Sequence, residues 1–243
     1  MTSNRADDPA QEKLFDAAEL TWPAARLHRA GPWLIREGQG GGKRVSAASL
    51  LGEPHDIAQM EAAQTALGQP LLVMVRGGQD RLDRELEQAG YRRIDPVDLL
   101  VAPARDLLTD LPPDTGFTVD WPPLATQTEI WEEGGIGPAR IAVMERCALP
   151  RTTLMGRVDD TPAATAFIAR HEGIAMLHAL EVRDRFRGAG LGRQMMQAAA
   201  GWAVAQGAEW IAVLVVEQNM AAQRLYQRLG MRPAGHYHYR IRE

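Results

Sequence analysis

The run Leu180-Glu181-Val182-Arg183-Asp184-Arg185-Phe186-Arg187-Gly188-Ala189-Gly190-Leu191-Gly192-Arg193 constrains this chain more than any other stretch. An apolar strand, Ile174 to Val182, ends in a short polar turn, and three alternating glycines lead straight into a helix with Leu191, Met195, Ala198, Ala199 and Trp202 at helical spacing. Glycine lets the backbone approach a ligand and turn its N–H groups toward one point. The helix N-terminus adds about half a positive charge, and Arg185, Arg187 and Arg193 add formal charge nearby. A pyrophosphate fills such a cradle. The dinucleotide fingerprint needs G-x-G-x-x-G behind the first strand of a βαβ unit, whereas here the spacing is G-x-G-x-G behind a meander. A nucleoside-triphosphate loop is also excluded, because the Gly42-Lys43 pair is followed by Arg44 and lacks the upstream glycine.

The text around this stretch reads as α/β. A helix from about Ala10 to Arg26 is followed by a glycine-rich hairpin, with strands at Pro32 to Arg36 and Arg44 to Leu51. A helix from Asp56 to Leu67, a strand from Leu71 to Val75, a helix from Asp80 to Ala89 closed by Gly90, and an extended run from Tyr91 to Val101 complete a first block, residues 10–103. The Pro- and Asp-rich segment 104–116 reads as a linker. The second block, 117–243, opens on a strand and two short helices, continues with an antiparallel meander over Thr153 to Val182, and ends in helix, strand, helix, strand. Lining up Gly90 with Gly230 lays Leu72–Val101 over Ala212–Ile241, strand on strand and helix on helix, which predicts an internal duplication.

Composition narrows the classes. With 243 residues, 45% hydrophobic and 24% charged, disorder, collagen and coiled coil are excluded, and a net charge of −4 gives no field for holding nucleic acid. A single cysteine, Cys147, forms no internal disulfide and fits a reducing cytoplasm. Met1 to Gln11 lacks a signal pattern, and the longest apolar run, Trp210 to Val216, is far short of the ~20 residues that span a bilayer, so no membrane partner is expected.

The glycine stretch resembles the acyl-CoA loop of the GCN5-related N-acetyltransferase (GNAT) family. The pattern [QR]-x-x-G-x-[GA] occurs twice in overlapping register, from Arg185 to Gly190 and from Arg187 to Gly192. Downstream, Asn219, Ala222, Leu225, Tyr226, Gly230 and Met231 match that family's N-x-x-A-x-x-L-Y-x-x-x-G-[FM]. The resemblance covers about Gly116 to Glu243. It implies a mixed central sheet flanked by helices, and acetyl-CoA as acyl-donor substrate, held by Leu180, Glu181, Val182, Arg187, Gly188, Ala189, Gly190, Leu191, Gly192, Arg193 and Asn219. It further implies strands at 174–182 and 210–216 that splay apart, a backbone N–H that polarises the thioester, and Tyr226 as the acid that protonates the leaving sulfur. Ordinary packing on the sheet is the other reading of Tyr226, and helix capping the other reading of Asn219. The expected acceptor is a small-molecule or peptide amine, in a protein that is cytoplasmic and, by family habit, a homodimer. The rival reading is a non-catalytic CoA-binding sensor or scaffold.

The base is left open among His178, Glu181, Glu217 and a water relay. Period-two alternation puts His178 on one face with Leu180 and Val182, and Glu181 on the other. His236 and His238 share a face of the last strand but lack a spaced third ligand, so no metal is assigned. Set against the repeat, the first block has Leu86 where Tyr226 stands and Gln79 where Asn219 stands, and it has no alternating-glycine loop. It reads as a degenerate, GNAT-like domain that partly walls the acceptor site.

Overall fold

The apolar runs of both blocks come together in one sheet. The computed structural model describes residues 8–53, 55–109 and 116–243, so most of the linker's centre, including Pro112 and Pro113, lies outside the described residues. In chain order the elements are α1 (Gln11–Leu20), β1 (Arg26–Ala30), β2 (Trp33–Glu37), β3 (Ser49–Leu50), α2 (Ile57–Ala66), β4 (Leu71–Arg76), α3 (Asp80–Gln88) and β5 (Arg92–Pro103). They continue with β6 (Gly116–Val119), α4 (Ala125–Glu133), α5 (Pro138–Arg146), β7 (Arg151–Val158), β8 (Thr161–His171), β9 (Ile174–Val182), α6 (Leu191–Ala205), β10 (Trp210–Val216), α7 (Met220–Arg228) and β11 (Arg232–Arg242).

Local chemistry sets several boundaries. Asp56 caps α2 by accepting from Ala58 N at 2.9 Å, Pro138 stands in the first turn of α5, where its missing N–H costs no bond, and Gly190 enters α6 from a left-handed conformation at φ +84°.

Eight strands form a sheet of order β4-β11-β5-β10-β9-β8-β7-β6, and β1-β2-β3 form a small second sheet. One face packs on α6, whose Met195, Met196, Ala199, Ala200 and Ala203 are fully buried against Leu154, Ile168, Ile211 and Val213. The alanines let the helix lie close to the sheet. The other face packs on α1 through Leu14, Phe15, Ala17 and Ala18, and on α4 and α5 through Trp131, Val143 and Met144. At ~25 cal/mol per Å² of apolar surface, these two interfaces are the main favourable term in folding.

The central pairings obey the offset that lines Gly90 up with Gly230. Leu72 opposes Ile241, and the shifted pair, Ala212 and Val101, are also opposed. Val73 with Arg240 and Val213 with Leu100 repeat the relation, and Val97 with Tyr237 maps onto itself. Strand β5 of the first block thus lies between β10 and β11 of the second, and β11 lies between β5 and β4.

Three expectations need correction. Helix α1 stops at Leu20 rather than near Arg26, and Arg26 begins a strand. The hairpin turn is Gly31-Pro32 between β1 and β2, while Lys43–Val45 is a 3-10 turn, leaving Ser49–Leu50 as the strand. The alternation along β9 fails, because register slips between the pairs Thr165–Glu181 and Phe167–His178, with Ala179 at φ +51°. That bulge inserts one residue, so His178 and Glu181 both face the α4 side while Leu177 and Leu180 face α6.

Candidate active site

Strands β9 and β10 run parallel and pair from Ile174–Trp210 to Leu177–Val213, and then part. Each keeps its outer neighbour, β9 pairing with β8 as far as Val182 and β10 with β5 as far as Val216, so the inner edges open on a gap. A cleft of about 610 Å³ occupies that gap, lined by Leu180, Glu181, Val182, Arg187, Gly188 and Gly192 on one side and Asn219, Ala222, Leu225 and Tyr226 on the other.

The bulge shapes the wall of this cleft. Trp131 of α4 donates its indole N–H to the carbonyl of Ala179 at 2.8 Å. A trans peptide directs its C=O and N–H oppositely, so the N–H of Leu180 points away from the Trp131 indole.

The glycine turn is as the sequence suggests in backbone and different in charge. Gly188 and Gly190 have φ of +82° and +84°, and no side chain among the described residues caps α6, so its first N–H groups face out of the helix. Ala189, Gly190 and Leu191 form the turn into α6, with the N–H groups of Arg193 and Gln194 closing on Gly190 O. Arg187 bonds Val182 O at 2.9 Å and Glu181 at 2.8 Å, and lies 2.8 Å from Asp184, so it braces the turn and its charge is matched within the fold. Glu181 in turn lies against Gly134, where a Cβ would meet its carboxylate at 2.5 Å or less.

Tyr226 sits on α7 with its ring in the core below α6. Burial pushes its pKa up to about 12, and its hydroxyl makes no hydrogen bond to another described residue. Asn219 caps α7, accepting from Ala222 N at 3.1 Å, while also lining the cleft.

His178 is 5% exposed, stacked on Phe167 and in tilted contact with Trp22, which itself touches Phe167. Thr21 donates its hydroxyl hydrogen to Ala17 O at 2.5 Å, so its oxygen accepts from His178 Nε2–H at 2.8 Å. His178 Nδ1 then carries the lone pair, and Arg44 Nη2 donates to it at 3.3 Å. Burial, then the Arg44 charge, hold the imidazole pKa well below its usual value. The ring is a neutral link between α1 and Arg44.

A second chamber of about 310 Å³ lies on the α1 side of the gap and shares Arg44, Arg140, Ala179, Leu214 and Val216 with the cleft. Trp22, Gly41, Gly42, Lys43, Asp95 and Val97 of the first block wall it, with Tyr237 and Tyr239 of β11. No spacing in the sequence points to Arg44 or Arg140, because the partners that place Arg44 lie far along the chain. His236 and His238 do share the α3 side of β11, where His238 bonds Asp83 at 2.6 Å and His236 lies over Gly77. Cys147 is buried, with its thiol pKa raised by burial.

Residues 115–231 match the family described as Acetyltransferase (GNAT). The uncharacterized N-acetyltransferase YobR of Bacillus subtilis strain 168 is 27% identical over 243 residues, spanning 95% of this chain and 98% of its own. A GCN5-related N-acetyltransferase from Kribbella flavida superposes with a TM-score of 0.71 at 21% identity, over 97% of this chain and 96% of that one. A tandem GNAT protein from the clavulanic acid biosynthesis pathway gives 0.60 at 14% identity, over 87% and 77%. The mixed sheet flanked by helices is therefore the GNAT fold. No described helix is long and apolar enough to cross a membrane.

Proposed function

Because residues 115–231 match the acetyltransferase (GNAT) family, we propose that the chain moves the acetyl group of acetyl-CoA to a primary amine by direct attack, with Tyr226 as acid. The observation that carries the reading is the gap between β9 and β10, with an uncapped helix N-terminus at one end and Tyr226 among the residues that line it. The diphosphate of the donor lies on the turn Gly188–Gly192 with Arg193 beside it, and its pantetheine arm runs along Leu180, Glu181 and Val182 and past Asn219. The Leu180 N–H bonds the thioester oxygen, where negative charge grows as the amine attacks. A C–N bond forms, the C–S bond breaks, and Tyr226 delivers its proton to sulfur. The proton lost by nitrogen passes to Glu181 or to water, since His178 has its lone pair occupied by Arg44.

The first block is proposed as a degenerate second copy of the same fold, in keeping with the repeated pairing registers and with the likeness to a protein titled as tandem. It supplies the wall of the acceptor chamber.

Calorimetric titration with acetyl-CoA tests the reading. Micromolar binding that Gly190→Trp removes supports it. Absence of binding by well-folded protein overturns it, and binding without transfer to any amine leaves the sensor or scaffold alternative.

A further inference from the structure

The chamber on the α1 side of the gap has an unbalanced set of charges. Lys43, Arg44 and Arg140 face it with one carboxylate, Asp95, and that carboxylate is already 2.7 Å from Lys43. Arg44 has no carboxylate within salt-bridge distance among the described residues. The charged or titratable groups that act on it are Tyr237, Tyr239 and Arg140. Its guanidinium is held in place all the same, 5.0 Å over the Trp22 ring and bonded through one nitrogen to the neutral His178. Arg140 crosses the mouth above Gly42, with its Nε 3.6 Å from where a Cβ would stand.

Two arginines that are still more buried than Arg44 each have a carboxylate partner. Arg36 meets Glu19, and Arg240 meets Asp83. A guanidinium withdrawn from water without a counter-charge is costly, and the cost is removed when an anion arrives. The chamber opens on the β9–β10 gap at Ala179, Leu214 and Val216, so a molecule with its anionic end at Arg44 directs its other end toward the gap.

We propose that the acceptor is an amine that also carries a carboxylate, as an amino acid does, and that Arg44, with Arg140 beside it, holds that carboxylate. This deepens the acetyltransferase reading and rests on it. The guanidinium fork matches a planar carboxylate in two parallel hydrogen bonds. Lysine retains the charge but not the fork.

The test uses the full chain and matched pairs that differ by the carboxylate: phenylalanine with 2-phenylethylamine, and leucine with 3-methylbutylamine. The ratio of kcat/KM within each pair is compared between the wild type, Arg44→Gln, Arg44→Lys and Arg140→Gln, which cancels intrinsic differences in amine basicity. The expected wild-type preference for the acid falls about 10- to 100-fold in Arg44→Gln, the range for a lost hydrogen bond to a charged group, with smaller falls in the other two. A ratio that Arg44→Gln leaves unchanged overturns the proposal. So does a stronger preference for 3-aminopropylphosphonate over 4-aminobutyrate, which would make the site one for phosphoryl groups.

Binding gives a readout independent of turnover. In the presence of CoA, N-acetylphenylalanine is titrated against N-acetyl-2-phenylethylamine. Tighter binding of the acid that Arg44→Gln or Arg140→Gln reduces upholds the site; equal binding, or binding of neither, overturns it. Failure of acetyl-CoA itself to bind counts against the acyltransferase reading and is scored separately.

Discussion

Trp131 and Ala179 are joined by a 2.8 Å hydrogen bond that runs from the indole of α4 to the carbonyl of the left-handed residue in β9. The bond fixes a strained alanine and with it the direction of the next N–H. Trp131→Phe leaves the carbonyl buried and unpaired, so a loss of roughly 1–3 kcal/mol is expected in denaturant unfolding, together with a lower kcat. The affinity for acetyl-CoA, which the proposal assigns mainly to the glycine turn, should change less than kcat does. A variant with normal turnover would remove the Leu180 N–H from the proposed mechanism.

Tyr226 lines the cleft and is the proposed acid for the departing sulfur. Tyr226→Phe is expected to lower kcat about 100-fold or more while the calorimetric affinity for acetyl-CoA stays near that of the wild type. Because burial pushes the hydroxyl to about 12, the group remains protonated throughout the neutral range. An alkaline limb in the wild-type kcat profile below about pH 11 therefore belongs to another group.

His178 links folding to pH. Its folded pKa is depressed by burial and by Arg44, so the native ring stays neutral while the unfolded ring takes up a proton below about 6.5. The unfolded state then binds more protons, and stability falls as pH drops from about 6.5 toward the lower folded value, by about 1.4 kcal/mol per pH unit for this one group. His238 is lowered as well and acts with the same sign. Denaturant unfolding of the wild type and His178→Gln between pH 7 and pH 5 isolates the His178 share: the variant should show a shallower decline. Parallel curves would show that the ring is charged in the native state.

Asp83 ties α3 to β11 through Arg240 at 2.7 Å and His238 at 2.6 Å, and the Arg240 bond, followed by that of His238, holds its carboxyl at about 2. The folded pKa is depressed, so the contribution is present above about 3.8 and is lost as pH falls toward about 2. Asp83→Asn is expected to lower stability by about 1 kcal/mol at neutral pH, the screened value for a pair near solvent, with the difference shrinking in acid. Equal stabilities at pH 7 would show that the pair adds nothing to the join between the two blocks.

Much of this was legible in one dimension. Helical and strand periodicities, the alternating glycines and the tyrosine motif depend on neighbours a few residues apart. The offset from Gly90 to Gly230 predicts matched strands, and the opposed pairs Leu72–Ile241 and Ala212–Val101 obey it. Three things were decided by tertiary structure alone. The face of β9 that carries His178 depends on a bulge set by pairing with β8 and by Trp131 on another helix. The place of Arg44 depends on the His178 ring of β9 and on the Trp22 ring just after α1, brought to it only by packing. The ion pairs of Arg187 with Glu181 and Asp184, which the sequence does not announce, form only when the turn folds back. Periodicity along a chain fixes which residues share a face while the backbone is regular, but which charge finds a partner is settled only when distant segments pack together.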